Sequence, residues 1–263
     1  MHDFPIVELG GLEFDLSTIL AIAVSFLITL FLALAAVRNL SVDKPSKLQN
    51  FMEWVVEFVH NTVASTMPLH KAQRFVSLGL TLIMFIFISN LLGLPFGLVW
   101  EVSENHHGPV TVLGLEIMSA ADVETAHANH EHIAFAFWKS PTADLAVTAG
   151  LAITVIFLVH FLGLKDNTRH YLKHYFEPFP VFFPLNILKE ISKPLTLALR
   201  LYANIFAGEV LISTILMISW FGLPLLAVWQ GFSIFVGAIQ AFLFTILTMV
   251  YISQAAVHDE SAH

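Results

Sequence analysis

From Val210 to Val257 the chain runs 48 residues without an Asp, Glu, Lys or Arg. That is more than twice the roughly 20 apolar residues that cross the hydrocarbon core of a bilayer. Such a run folds back on itself in lipid. Leu16–Val37 and Leu145–Leu164 are two further uncharged runs of spanning length. Only 12% of the 263 residues are charged and 57% are hydrophobic, with a mean hydropathy of +0.76. Soluble domains carry about 25% charged residues, so the composition specifies an integral membrane protein. No cysteine is present, which excludes disulfides, thiolate metal sites and thiol catalysis.

The segments follow one another as a single membrane domain over residues 1–263. Residues 1–15 form a polar N-terminus; they have no basic n-region and the apolar run after them is too long for a cleaved signal peptide. Residues 16–37 make the first span, between Asp15 and Arg38. Residues 45–67 place Leu48, Phe51, Met52, Val55 and Val59 on one helical face and Asn50, Glu53, Glu57 and His60 on another. That pattern predicts an amphipathic helix lying at the membrane surface. Residues 75–99 make a second span, with Asn90, Gly93, Pro95 and Gly97 predicting an irregular end. Residues 100–144 form a long acidic loop containing His106, His107, His127, His130 and His132, read as solvated loop residues and not as a metal site.

Residues 145–164 are the third span and 165–178 a basic connector. Pro178, Pro180 and Pro184 are expected to break any helix before a long hairpin over residues 179–257, which turns at Gly222 and Pro224. The fold class is therefore all-α integral membrane protein: about five membrane-embedded helices plus one amphipathic surface helix. The last two helices are long. Residues 189–219 would measure about 46 Å against a core of about 30 Å, which predicts a strong tilt. Arg38, Lys44, Lys47, Lys71, Arg74, Lys165, Arg169 and Lys173 lie in connectors on one side, against Lys139 alone on the other. The positive-inside rule then puts the N-terminus outside and the C-terminus in the cytoplasm.

Within the hairpin, Arg200 sits between Leu199 and Leu201. A guanidinium at bilayer depth costs about 2.5–3.5 kcal/mol on insertion scales. On a helix it shares a face with Thr196, Ala203, Asn204, Ala207 and Gly208, a stripe of mostly small residues. Glu209 lies nine positions on, about 180° around the helix, and cannot pair with Arg200. The other arm offers only neutral polar groups there, chiefly Ser233 and Gln240, seven apart and on one face. One reading is a packing stripe with a salt-bridged Arg inside the bundle. The other is that the counter-charge belongs to another subunit. Glu209, facing the other way, reads as a proton carrier, lining a polar path with Asn204, Ser233, Gln240 and Tyr251; a carboxyl satisfied by neighbouring hydroxyls is the alternative.

The stretch SKPLTLALRLYANIFAGE, with NLLGLPF upstream and IQAFLFTILTMVYIS downstream, strongly resembles subunit a of the F-type ATP synthase. The resemblance covers most of the chain and is most specific in the charged helix. It implies that Arg200 is the essential stator arginine facing the carboxylates of a rotating c-ring. It also implies that Asn204, Glu209 and Gln240 border aqueous half-channels and that Asn90 belongs to the same region. Some family members carry His where Ser233 aligns and Asp where Gly93 aligns, so neither position carries over as ionisable. The implied partners are c-ring subunits, the peripheral-stalk subunit b and the rest of the complex, in a bacterial plasma membrane, with H⁺ favoured over Na⁺ as the transported ion. No cofactor, metal, nucleic acid or covalent chemistry is expected of this chain. A secondary transporter with an intramembrane Arg/Glu site is the competing class, although no repeat relates the two halves. A membrane scaffold leaves Arg200 unexplained.

Overall fold

The computed structural model describes every residue except 1–4, 10, 39, 94–98, 102–107, 113, 129–133, 137, 175, 177–178, 217–221 and 257–263. β1 (Ile6–Leu9) and β2 (Leu12–Asp15) form an antiparallel hairpin, with Gly11 at φ +83° in the turn. Asp15 then caps α1 (Leu16–Val37), its carboxylate accepting from the Ser17 and Thr18 backbone N–H groups. α2 (Lys47–Ala64) starts on Ser46, whose hydroxyl accepts from Gln49 N–H. α3 (Leu69–Leu92) follows after Pro68. Two small antiparallel pairs come next: β3 (Val99–Glu101) joins a later strand, β6 (Ala134–Ala136), and β4 (Val110–Val112) joins β5 (Leu115–Met118). α4 (Ala120–Ala128) lies between β5 and β6. Three long helices complete the chain: α5 (Leu145–His174), α6 (Phe183–Leu216) and α7 (Gly222–Ala256).

Among the described residues, five helices are long and apolar enough to cross a membrane: Leu16–Val37, Leu69–Leu92, Leu145–Lys165, Phe183–Ile212 and Gly222–Ala255. They pack as one bundle. α3 lies against α1, α2 and α7, while α5, α6 and α7 pack on one another. The core is built from Val59 and Val63 of α2, Ile86 of α3, Val159 of α5, Leu201 of α6 and Phe244 and Met249 of α7, among others. Outside the bundle, Val110, Val123, Ala126 and Phe135 close a small separate core in the loop between α3 and α5.

Several boundaries depart from the sequence-based expectations, each for a local reason. The second long helix begins at Leu69, not Phe75, because His70, Lys71 and Arg74 limit how deep a helix enters lipid without preventing helix formation. It ends at Leu92, and residue 99 is already in β3; Pro95 and Gly97 lie outside the described residues. The helix expected at the surface puts Met52, Val55, Val59 and Val63 against the bundle and leaves Phe51, Trp54 and Phe58 exposed. The loop over 100–144 carries strands and a helix of its own. The connector from 165 stays helical to His174, since KDNTRHYLKH contains no breaker. Pro184 sits in the first turn of α6, where a missing N–H is harmless, and the helix also continues through Pro194. Gly222 and Pro224 open α7. At about 1.5 Å per residue, the 34-residue α6 spans about 51 Å.

The segment Trp138–Asp144 is the piece of the fold that positions the site. It crosses the end of α3 as a strap, includes a 3-10 turn at Pro141–Ala143, and packs onto α6 as well. Gly93 makes that crossing possible. A Cβ there would stand 2.4 Å from Ser140 Cβ and 3.1 Å from Ser140 Cα. Its backbone is ordinary right-handed helix, at φ −73°, so space alone excludes a side chain. Gly93→Ala is therefore expected to destabilise the protein by about 1–3 kcal/mol through overpacking, read as a lower thermal midpoint in detergent; an unchanged midpoint would mean that the strap moves away freely.

Candidate functional site

α6 divides into two sides. Leu197, Ala198, Leu201 and Ile215 are buried against the bundle, while Thr196, Leu199, Arg200, Ala203, Asn204 and Ala207 are exposed. The 3.6-residue period brings Arg200 onto the same open side as Ala203, Asn204 and Ala207. Among the described residues, no salt bridge includes Arg200; the ion pairs found are Lys139–Asp15, Lys139–Asp144 and Lys193–Glu190. Beside this face α7 exposes Val228, Phe232, Phe235 and Ile239. The guanidinium thus stands on an apolar, small-residue surface with, among the described residues, no acid of its own chain in a salt bridge with it.

A cavity of about 440 Å³ lies between α6, α7 and the end of α3. Asn90, Gly93, Asn204, Gly208, Glu209, Trp229 and Ser233 are among its lining residues. Glu209 is half-buried and accepts a hydrogen bond from Ser140 N–H (3.3 Å). Asn90 is buried: its Nδ2 donates to Gly237 O (3.0 Å), and its Oδ1 accepts from Thr142 Oγ1 (2.6 Å). The Ser140 hydroxyl donates to Ser89 O (3.0 Å), and its oxygen lies 2.7 Å from Thr142 Oγ1. On the other side, Asn204 Nδ2 donates to Gln240 Oε1 (2.8 Å). Ser89 Oγ, Ser233 Oγ and Gln240 Nε2 are buried without a protein partner. Buried polar atoms are nearly always hydrogen-bonded, to protein or to water, so this region is chemically suited to water.

Of the residues singled out from the sequence, Asn90, Asn204, Glu209 and Ser233 meet at this one cavity, and Gln240 is bonded to Asn204. Tyr251 does not join them. It lies eleven residues beyond Gln240 on α7, about 16 Å along the helix, with Lys193 Nζ 5.3 Å from its ring centroid. Arg200 and Glu209 face opposite ways from α6, as their nine-residue spacing requires. The Gly93 position has no room for an acid, and Ser233 brings a hydroxyl where an imidazole would be larger. Of the loop histidines, His106, His107, His130 and His132 lie outside the described residues. Among those described, no group of three or more His, Asp or Glu could hold a metal.

Sequence reasoning missed the strap. Trp138 Nε1 donates to Leu92 O (2.6 Å). Lys139 Nζ reaches Asp15 Oδ2 (2.5 Å) and Asp144 Oδ2 (3.0 Å), and Thr18 Oγ1 also donates to Asp144 Oδ2 (3.2 Å). Burial opposes ionisation of Asp15, yet hydrogen bonds from Lys139 and Ser17 outweigh it and hold the carboxyl below the ordinary carboxylate range. Burial likewise opposes the Lys139 charge, and the bonds to Asp15 and Asp144 outweigh it and raise the ammonium above its usual value. The one signal for this cluster in the sequence was Lys139 itself, a single base in a segment of seven acids.

Similarity to known proteins agrees with these features. The sequence model of the ATP synthase A chain family matches residues 18–253. ATP synthase subunit a of Bacillus velezensis is 42% identical over 275 residues, covering 98% of this chain and 99% of the relative. That of Bacillus subtilis is 41% identical with the same coverage, and that of Priestia megaterium 42% identical over 267 residues.

The clamp at Lys139 sets a pH dependence. A carboxyl held low stabilises the fold fully above its unfolded value near 4 and loses that contribution as pH falls through its lower folded value; a raised ammonium does so fully below about 10.4 and fails as pH rises beyond that. Asparagine caps helices as well as aspartate does, so Asp15→Asn isolates the charge. Its deficit in thermal midpoint against the parent is expected to be constant from about pH 5 to about pH 9 and to shrink below about pH 4. A deficit that persists undiminished at pH 3 would show that charge is not what Asp15 contributes.

Proposed function

The chain belongs to the ATP synthase A chain family, and from that premise we propose that it is the stator subunit along which protons reach and leave a rotating ring of carboxylate-bearing subunits. The observation that carries the reading is Arg200: exposed, without an acid of its own chain among the described residues, on a face of small residues. A ring carboxylate travelling through lipid is neutral, because its ionised form is too costly there. Opposite Arg200 the ionised form is favoured. At about 4 Å and an effective dielectric near 20 the attraction is about 4 kcal/mol, enough to release the arriving proton. The same fixed charge repels a proton moving directly along the stator, so passage requires the ring to turn. A membrane potential adds about 2.3 kcal/mol per charge per 100 mV.

Glu209 is the proton carrier on the far side of α6. The cavity, with Asn90, Asn204, Ser233 and Gln240 around it, is the inner reach of one half-channel, opening on the side of the strap and the β-hairpin. The second half-channel opens at the other end of α6, toward Lys193 and Tyr251. With the basic connectors in the cytoplasm, the strap is outside, both hairpin helices are tilted, and the membrane is a bacterial plasma membrane. The remaining partners are the peripheral stalk and the catalytic head, where ATP is formed; this chain makes no bonds itself.

In vesicles holding the assembled complex, Arg200→Ala is expected to cut proton-driven ATP synthesis about a thousandfold, to background, the loss that about 4 kcal/mol implies, while the complex still assembles. Synthesis at the parent rate would refute the role of Arg200. Glu209→Gln keeps the shape and removes the exchangeable proton, and is expected to slow coupled flux by about a hundredfold; unchanged flux would take Glu209 out of the path.

A further inference from the structure

We propose that Lys139 is a positioning residue for Glu209: its ammonium, held between Asp15 and Asp144, fixes the strap so that the Ser140 N–H stays on the Glu209 carboxyl. The proposal rests on the reading of Glu209 as the proton carrier and assigns the group that orients it. Ser140, which donates the 3.3 Å bond to Glu209 Oε1, immediately follows Lys139. A contact this long is sensitive to small movements of its donor.

Three other side-chain tethers of the strap land on one helix, while its last residue, Asp144, is held by Thr18 of α1 and Ala146 of α5. Trp138 bonds Leu92 O, Ser140 Oγ bonds Ser89 O and Thr142 Oγ1 bonds Asn90 Oδ1, all at the end of α3. Lys139, next to Ser140, bonds the strap to the α1 cap through Asp15 and to the strap's own end through Asp144. Asp15 caps α1, and Asp144 Oδ1 accepts Ala146 N–H (2.8 Å) at the start of α5. The side chain of Lys139 is 11% exposed, with its acids at 16% and 21%. Buried ionic groups gain little net stability over apolar ones of similar size, and such a triad is best explained by the placement it enforces.

The charges placed toward Glu209 among the described residues are these. From the strap comes Lys139, and behind it Asp15 of the α1 cap and Asp144 before α5. α3 presents Ser89 and Asn90, and α7 presents Trp229, Ser233 and Gln240, none formally charged. Arg200 is on the opposite face of α6. On α5, His160 lies sixteen residues beyond Asp144, its Nδ1 against Ile156 O. Among the described residues, Lys139 is therefore a cation whose loss Glu209 would register.

The test is the pH profile of proton-driven ATP synthesis in vesicles carrying the intact complex. Lys139→Met is expected to lower the rate at pH 7 severalfold and to move the profile toward alkaline pH by about half a unit or more, because a carboxyl that loses a nearby cation ionises less readily. Lys139→Arg is expected to return most of both changes. The double variant Lys139→Gln/Asp15→Asn keeps the buried groups hydrogen-bonded without charge, and serves if Lys139→Met does not assemble; the same alkaline shift is expected of it. If both variants keep the parent profile while Glu209→Gln still depresses flux, the positioning role is overturned and the reading of Glu209 survives. If Glu209→Gln is also without effect, the reading beneath it falls.

Discussion

A guanidinium in oil must be neutralised by something, and among the described residues no acid of this chain forms a salt bridge with Arg200. Had Glu209 stood three or four positions away, the two would share a helix face and pair permanently. At nine positions it faces away. The surroundings of Arg200 agree with a counter-charge that arrives and leaves: Ala203 and Ala207 are small, Asn204 is drawn aside by Gln240, and the neighbouring surface of α7 is apolar and open. A static salt bridge needs none of this clearance.

The same separation explains the back of the helix. Once Glu209 is turned into the bundle it needs a polar lining, and the lining is assembled from four elements distant in sequence. Asn90 bonds a residue 147 positions away, Ser140 one 69 away and Thr142 one 52 away. Close approach of these elements is paid for in side-chain volume: a Cβ at Gly93 would collide with Ser140, and one at Gly237 would stand 3.2 Å from Asn90 Cβ. Gly93 thus leaves room for a strap that brings hydroxyls and a backbone N–H.

Much of this was readable before the structure. The span at Leu16–Val37 is delimited by charges, so apolar length and helix length coincide there. Arg200, Glu209 and their opposite faces follow from helical periodicity alone. The errors came where length in lipid and length of helix differ. α3 and α5 extend past their apolar segments through charged residues that do not prevent helix formation. Tyr251 was grouped with Gln240 by polarity, a property that says nothing about depth along α7. The strap was hidden for another reason: Lys139, Ser140 and Thr142 look like ordinary loop residues until long-range contacts bring α1, α3, α5 and α6 to them.

Cysteine cross-linking in the working complex tests the central claim most directly. A cysteine at Ala203, beside Arg200, would be paired with one a single turn from the carboxylate of each ring subunit, only one ring copy being tagged. A mobile counter-charge predicts that the tagged copy cross-links in proportion to its share of the ring after turnover, whichever copy faced Ala203 at the start. Absence of any cross-link, or a cross-link confined to one copy regardless of turnover, would contradict it.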